Sequence, residues 1–377
     1  MNPAELAERV QRKLAETTRP DNPADIARLI RDEAGMISDA DVLGVLRRIR
    51  DDSSGAGKLE QVLATPGVTD VLVNGAREVW FDRGDGLERA NVRFEHDAEV
   101  RQLATRLAVA CGRRLDDAQP FADGRLHRSD ASSIRVHALL SPPADHGTCI
   151  SLRVLRQAVT TLDGLVERGT MSQEIAHTLT KIVRAKRSFL VVGGTGSGKT
   201  TLLGALLAEV PHNERIICIE DTAELHPPHP HVVNLISRAR NVEGHGEITM
   251  TDLLRQALRM RPDRIVVGEI RGAEVVDLLA ALNTGHDGGA GTIHANSLRE
   301  IPARMEALAA LGGMDRTALH SQLSAAVDVV MSMRRTDTGR QLHQIGVVNG
   351  NPVQVYTIWD ADCGPKSGFA QYMESLP

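Results

Sequence analysis

The sequence predicts an α/β protein with a phosphate-binding unit in its second half and a smaller α+β domain before it. Three observations predict this. The apolar run FLVV at residues 189–192 opens into the glycine-rich residues 193–199, and from Thr200 onward Leu202, Leu203, Leu206 and Leu207 recur at helical spacing. Two further apolar runs, residues 216–219 and 265–267, end in acids, as parallel strands do when they deliver carboxylates to one edge of a sheet. Residues 59–156 instead read as short strands broken by turns, with one helix among them.

A chain of 377 residues is long enough for two or three domains, and 42% hydrophobic residues supply their cores. The four cysteines, Cys111, Cys149, Cys218 and Cys363, are widely spaced with no CxxC, which suggests neither a disulfide framework nor a zinc site. The opening MNPAELAERVQRK lacks the apolar core of a signal peptide, and no apolar run reaches the roughly eighteen residues of a membrane span. A cytoplasmic location is therefore expected. A net charge of −5 with 2% aromatic residues argues against a general nucleic-acid binder, which needs basic grooves and stacking platforms.

In chain order, residues 1–58 form a helical amino-terminal region and linker. Leu6, Val10 and Leu14, then Ile26, Leu29 and Ile30, then Val42, Leu43, Leu46 and Ile49 fall at helical spacing, and Ser38 with Asp41 resembles a capping box for the third helix. These are expected to be core elements, with docking of a partner as the alternative. DDSSGAG at residues 51–57 is the linker. In residues 59–156, VTDVLVNG, EVWFD, SSIRVHALL and TCISLRVL read as strands around a helix near residues 99–111. Residues 101–156 hold nine arginines and no lysine against five aspartates, and the planar, permanently charged guanidinium suits phosphate. Surface ion pairs account for most of them, which leaves a phosphate role open for the rest. A connector at 157–172 leads to a helix at 173–185 and the phosphate-binding domain, 173–333; residues 334–377 are a carboxy-terminal extension.

The candidate chemistry lies in that domain. Gly193, Gly194, Gly196 and Gly198, with Thr195 and Ser197 between them, let successive backbone N–H groups turn toward phosphate oxygens at a helix amino terminus. Lys199 is placed to reach the β- and γ-phosphates and the Thr200 hydroxyl to ligate magnesium, with Thr201 beside it in the cofactor-binding stretch. An ordinary glycine-rich turn would not carry the full GxxxxGKT signature in a strand-to-helix context. Glu220, Asp221 and Glu224 follow one strand and Glu269 ends another, where acids can polarise water or hold magnesium through its water shell, so Glu269 is also a metal candidate. His286 and His294 flank a glycine-rich turn; no acid or cysteine cluster completes a metal site there, and sensing the terminal phosphate suits their position better than a purely structural role. Arg255, Arg259, Arg261, Arg264 and Arg271 bracket the Glu269 strand, some of them serving the fold.

GGTGSGKTT, IEDTAEL, RPDRIVVGEIRG and TGHDGGAGTIHANS, in this order, closely resemble the Walker A, aspartate, Walker B and histidine boxes of the secretion ATPase superfamily of type II secretion, type IV pili and type IV secretion. The Tad pilus assembly and conjugal-transfer-associated ATPases are the most similar members. The resemblance covers roughly residues 59–333, with VLVNG, DGRL, SIRVHALLSPP and SLRVL similar to the family's amino-terminal domain, and it includes a Walker B that ends in Gly-Glu. His137 stands where the family pattern has asparagine, and residues 334–377 do not align.

The resemblance implies a RecA-like P-loop ATPase domain, a smaller α+β (PAS-like) amino-terminal domain, ATP and Mg2+ as cofactors, and a homo-oligomeric ring, a hexamer. It implies docking on inner-membrane platform proteins of a pilus or secretion system, hence a cytoplasmic protein peripheral at the inner membrane. Arg135 and Arg153 match family arginines that face nucleotide, and Arg259 and Arg271 are the corresponding candidates in the ATPase domain. Two other classes share the phosphate loop. A RecA- or helicase-type nucleic-acid motor needs a channel that the low aromatic content does not support. A non-hydrolysing nucleotide sensor would not need Lys199, Thr200, Glu220 and Glu269 together.

Overall fold

Residues that alternate between apolar and polar build one sheet of this protein, and continuous apolar runs build the other. The computed structural model describes Leu6, Arg9, Val10, Val42, Val45 and residues 23–34, 55–84, 86–128, 133–155, 161–238, 240 and 245–376. The chain forms two compact units, Met1–Arg156 and Gln157–Pro377. Leu14, Leu43, Leu46, Ile49, the capping box at Ser38 and Asp41, and most of the linker lie outside the described residues. Helix α1 (Pro23–Ala34) buries Ile30 against Leu6, Val10, Val42 and Val45, so the described part of the amino-terminal region has an apolar core of its own.

The first unit is an antiparallel sheet of six strands, β1 (Asp70–Asn74), β2 (Glu78–Asp82), β3 (Leu87–Arg89), β4 (Phe121–His127), β5 (Ser133–Leu139) and β6 (Cys149–Leu155), in the order β3-β2-β1-β6-β5-β4. Between β3 and β4 runs helix α2 (Asp97–Ala110), whose Val100, Leu103, Ala104 and Leu107 share a core with Val71, Val73, Ile134, Val136, Ile150 and Leu152. Period-two alternation sends Arg135 and His137 to the opposite face from Ile134, Val136 and Ala138. Antiparallel register then aligns Arg125 with Arg135, and Arg135 with Arg153, in one cross-strand row.

The second unit opens with α3 (Leu162–Glu167) and α4 (Gln173–Arg184). Ser172 caps α4 by accepting from the Ile175 N–H. The expected connector at 157–172 thus contains a helix, and its Leu162, Leu165 and Met171 enter the core. There follow β7 (Phe189–Val192), α5 (Lys199–Leu207), β8 (Ile216–Glu220), β9 (Val232–Ile236), α6 (Met250–Ala257), β10 (Arg264–Ile270), α7 (Glu274–Leu282), β11 (Ala290–Ile293), α8 (Ile301–Leu311), α9 (Arg316–Ala326), β12 (Val329–Thr336), β13 (Gly339–Asn349), β14 (Gln354–Asp360), β15 (Gly364–Pro365) and α10 (Phe369–Glu374).

The nine strands lie in the order β15-β14-β13-β12-β7-β11-β10-β8-β9, parallel from β12 through β9 and antiparallel beyond β12. Both faces are covered, which is why FLVV and, within RIVVGEI, IVV read as unbroken apolar runs. Leu190, Val192, Ile217, Ile219, Ile265 and Val267 face α6, α7, α8 and α9, while Phe189, Val191, Ile216, Cys218 and Val266 face α3, α4 and α5. The division drawn at residues 333 and 334 falls inside β12, and β13, β14 and β15 continue the same sheet. The carboxy-terminal stretch is therefore built into this unit, with Met333, Leu342, Ile345 and Ile358 in the core under α3, α4 and α5.

Candidate nucleotide site

The site grows from β7, whose parallel neighbours β11 and β12 hold it in the middle of the nine-stranded sheet. Where β7 ends at Val192, the chain turns through the glycine-rich loop expected to bind phosphate, and Gly198 caps α5 at φ +96, a conformation costly for any residue with a Cβ. Leu202, Leu203, Leu206 and Leu207 are all buried beneath the sheet, each contributing about 1.5–3 kcal/mol, so the amino end of α5 is fixed behind the loop. Ser197 is buried and donates to the Gly194 carbonyl at 2.9 Å, closing the loop on itself. Gly194 and Thr195 are exposed at its mouth, while Thr200 and Thr201 are half-buried in the first turn of α5. The Lys199 ammonium is folded onto this loop, donating to the carbonyls of Gly193 and Gly194 at 3.0 Å each. Burial lowers its pKa, against the opposing charges of Glu269 and Glu224.

Adjacent parallel strands bring the other groups to the same edge. β10 and β11 deliver Glu269 and His294, and the buried Thr292 hydroxyl ties β11 to the Gly268 carbonyl at 2.6 Å. His294 lies between the two charged groups, Nδ1 at 3.4 Å from Lys199 Nζ and Nε2 at 2.8 Å from Glu269 Oε1. Burial and the Lys199 charge lower its pKa, against the opposing charge of Glu269. Arg271 donates to Glu269 Oε2 at 2.6 Å and to Asp221 Oδ2 at 2.8 Å, which ties the ends of β10 and β8 together. Its own backbone N–H is held by Glu274, which accepts from Arg271 at 2.6 Å and from Gly272 at 2.8 Å. Burial works to raise the Glu269 pKa, but the Arg271 hydrogen bond and charge, with His294 and Lys199, hold it below the ordinary value. Oε1 of Glu269, although 2.8 Å from His294 Nε2, is buried and has no hydrogen-bond partner among the described residues.

Glu220 occupies a different setting. It is buried at the end of β8, where its carboxylate accepts from the N–H groups of Glu224 at 3.0 Å and Leu225 at 3.1 Å, capping the loop that follows. Gly268 makes room for it, since a Cβ there would lie 2.6 Å from Glu220 Cγ. Burial pushes the Glu220 pKa up to about 7, with Glu224 and Asp221 adding to the rise and the backbone donors opposing it. Glu224 is exposed and acts on Lys199 and Arg271 through its charge alone.

Two expected residues are placed elsewhere. His286 precedes β11, whereas the phosphate loop follows β7; because the two strands are parallel and in register, His286 sits at the opposite edge of the sheet. Neighbouring Gly288 donates to Ser188 before β7, which confirms that edge. Arg259 lies between the end of α6 and the start of β10, again at the amino edge of a parallel strand, exposed and with no partner among the described residues. The buried Arg264 is structural: it donates to Glu214 at 2.7 Å and to the Gly288 and Val183 carbonyls. Arg255 pairs with Asp277.

In the first unit, the row of Arg135 and Arg153 gains Arg125, which sequence reading passed over inside DGRL. Arg125 donates to Ser133 at 2.8 Å, while Arg135 and Arg153 have no carboxylate partner among the described residues. Like charges directly across strands cost stability, so three in a row is an arrangement that an anion would relieve. The alternation of FADGRLH with SIRVHAL could have signalled it, given the register.

Residues 52–357 match the family described as Type II/IV secretion system protein. The chain belongs to that family. A Mycobacterium tuberculosis protein named for conjugal transfer is 56% identical over 334 residues, covering 87% of this chain and 95% of that one. The type IV secretion system protein VirB11 of Brucella suis is 30% identical over 320 residues, covering 75% of this chain and 86% of its own. Two solved structures share the fold. The pilus retraction motor PilT with bound ADP has a TM-score of 0.57 at 19% identity, covering 85% of this chain and 86% of that one. The ATPase DotB of Legionella pneumophila has a TM-score of 0.55 at 20% identity, covering 76% and 78% respectively. The family member described here therefore has the mixed α/β architecture of secretion ATPases, with a RecA-like second unit. Among the described residues no helix is long and apolar enough to cross a membrane.

Proposed function

We propose that this chain is a magnesium-dependent ATPase that drives a conjugal-transfer, pilus or secretion machine as a homo-oligomeric ring, a hexamer, seated on inner-membrane platform proteins at the cytoplasmic face. The observation that carries the reading is the convergence of Lys199, Glu269, His294 and Arg271 on the phosphate loop. Lys199 donates only to carbonyls of its own loop and meets His294, so its charge is not spent on a carboxylate and can turn to the β- and γ-phosphates. Thr200, on the first turn of α5, and Glu269, through a water shell, would hold magnesium; the orphaned buried Oε1 of Glu269 fits such a water donor. Magnesium held by these two residues would supply positive charge to offset that of the terminal phosphates.

Phosphoryl transfer asks for positioning and charge more than covalent chemistry. Arg271, fixed by Asp221, Glu269 and Glu274, keeps Glu269 ionised and aimed. Glu220, with a pKa near neutrality, serves as base for the attacking water when the loop at 221–225 releases its carboxylate. His294 reports the state of the Lys199 and Glu269 pair to β11. Arg125, Arg135 and Arg153 form a cationic row suited to an anion such as a nucleotide phosphate. Nucleotide-driven change in such an assembly would move the platform and its cargo.

The test is steady-state ATP turnover by the purified full chain with magnesium, alone, with DNA, and with platform protein in membranes. Stimulation by platform protein and not by DNA is expected. Stimulation by DNA alone would replace the secretion reading with a nucleic-acid motor, and nucleotide binding without turnover under all three conditions would leave a sensor.

A further inference from the structure

The carboxy-terminal hairpin, which carries no motif, stands against the phosphate loop. β12 pairs with β7 from Val329 and Phe189 to Ser332 and Val192, but β7 stops there while β12 continues to Thr336 and returns as β13 from Gly339. The last pairs of the hairpin, Met333 with Leu342 through Thr336 with Gly339, therefore run alongside the loop. Contact is close. A Cβ on Gly193 would lie 2.5 Å from the Met333 carbonyl, and one on Gly198 would lie 3.0 Å from Arg340 Cδ and 3.4 Å from Met333 Cε. Arg340 Nε donates to the Gly196 carbonyl at 3.0 Å.

The charge on Arg340 is what needs explaining. Arg334, on the same hairpin, is committed to Asp362 and Gln341 through paired donors. Arg340 is exposed, and among the described residues no carboxylate lies within ion-pair distance of it. A guanidinium has five donors, and here one is used on the loop. A permanent cation is thus fastened to a glycine-rich loop at a helix amino terminus, a kind of segment whose backbone N–H groups suit anions.

We propose that Arg340 is a positioning residue for nucleotide phosphates: it holds the Gly196 peptide so that the loop's N–H groups stay aimed, and it brings positive charge to ADP and ATP alike. The inference rests on the nucleotide reading above. Because the hairpin is anchored in the sheet and adds the same charge before and during reaction, its contribution is to affinity and not to the chemical step. The charge is the larger part, because a carbonyl hydrogen bond at an exposed site competes with water whereas the polyphosphate carries several negative charges at short range.

The test uses the full chain and a fluorescent ADP analogue, with Arg340→Ala, Arg340→Lys, Arg340→Gln and Lys199→Ala beside the parent. Arg340→Ala is expected to raise the ADP dissociation constant and the KM for ATP about tenfold, with kcat within about twofold. Arg340→Lys should recover affinity to within about threefold of the parent and Arg340→Gln should resemble alanine, since lysine keeps the charge and glutamine only a donor. Thermal unfolding without nucleotide should be the same for all three, because the side chain is exposed. ADP binding by Arg340→Ala or Arg340→Gln at parental affinity, or a fall in kcat with KM unchanged, overturns the assignment. The two readings separate cleanly. A parent that binds neither nucleotide defeats the nucleotide site and this inference with it, whereas a parent that binds, a Lys199→Ala that does not and an Arg340→Ala that binds normally defeats Arg340 alone.

Discussion

His294 and Glu269 face each other at 2.8 Å across the ends of β11 and β10, with the Lys199 ammonium 3.4 Å from the other side of the imidazole. The ring stands between an ammonium and a carboxylate that would otherwise meet. Lys199 is thereby left without a carboxylate partner among the described residues.

Lys199→Ala should remove turnover by on the order of 10³ or more while the chain stays folded. Its ammonium makes contacts only to loop carbonyls and His294, so no core packing goes with it. ATP hydrolysis and thermal unfolding measured on one preparation check this; parental turnover would end the phosphate-loop assignment.

Glu269→Gln should bind ADP normally yet slow hydrolysis by on the order of 10² to 10³, the scale of losing one pre-positioned electrostatic group. The amide still accepts from Arg271 but no longer offers a charged oxygen to a metal-bound water. A magnesium titration of turnover should also shift to higher concentration. If turnover and the magnesium requirement both match the parent, Glu269 does not organise the metal.

Glu220 makes a prediction about pH. Its folded pKa, about 7, is raised above the ordinary 4.5, so the folded state holds a proton that the unfolded chain has released between those values. Stability from this group is complete below about pH 4.5 and is lost as pH rises through about 7, a loss on the order of 3 kcal/mol. Chemical denaturation of parent and Glu220→Gln from pH 5 to 8 should show the parent losing stability relative to the variant over this window. The same variant should lose the rising limb of the pH–rate profile near neutrality if Glu220 is the base; a profile of unchanged shape would pass that role to another group.

Arg153→Ala and Arg135→Ala should leave the melting temperature unchanged or slightly higher, because each relieves like-charge repulsion of roughly 0.2–1 kcal/mol across the strands. Turnover should nevertheless fall by about 10³ to 10⁵ if these arginines offset charge on the transferring phosphoryl group. A lowered melting temperature with full activity per folded molecule would instead mark them as structural. Arg125→Ala belongs in the same series, with loss of its Ser133 hydrogen bond as the only other change.

What the sequence determined by itself was local and chemical. Residues 189–200 contain their own strand, loop and helix start, because GxxxxGKT requires particular backbone freedom at particular positions, and that requirement is met within one short stretch. Glu269 and His294 were readable for a similar reason: each directly follows an apolar run, and parallel strands end at a common edge. Edge and order were another matter. His286 and His294 look equivalent around their glycine-rich turn, but a strand of four residues lies between them, and only the direction of β11 in the sheet decides which one meets the loop. Helix and strand signals at 173–333 likewise gave no reason to expect residues 334–377 in the same sheet, since pairing of β12 with β7 is a contact between segments far apart in the chain. Register is long-range in the same way. Whether Arg125, Arg135 and Arg153 form a row or scatter over two faces depends on turns that set the pairing of β4, β5 and β6, and a shift of one residue would turn the moved strand's arginine into the core. Arg340 reaches Gly196 only because the hairpin outruns β7, a geometric consequence of strand lengths that no residue pattern announces.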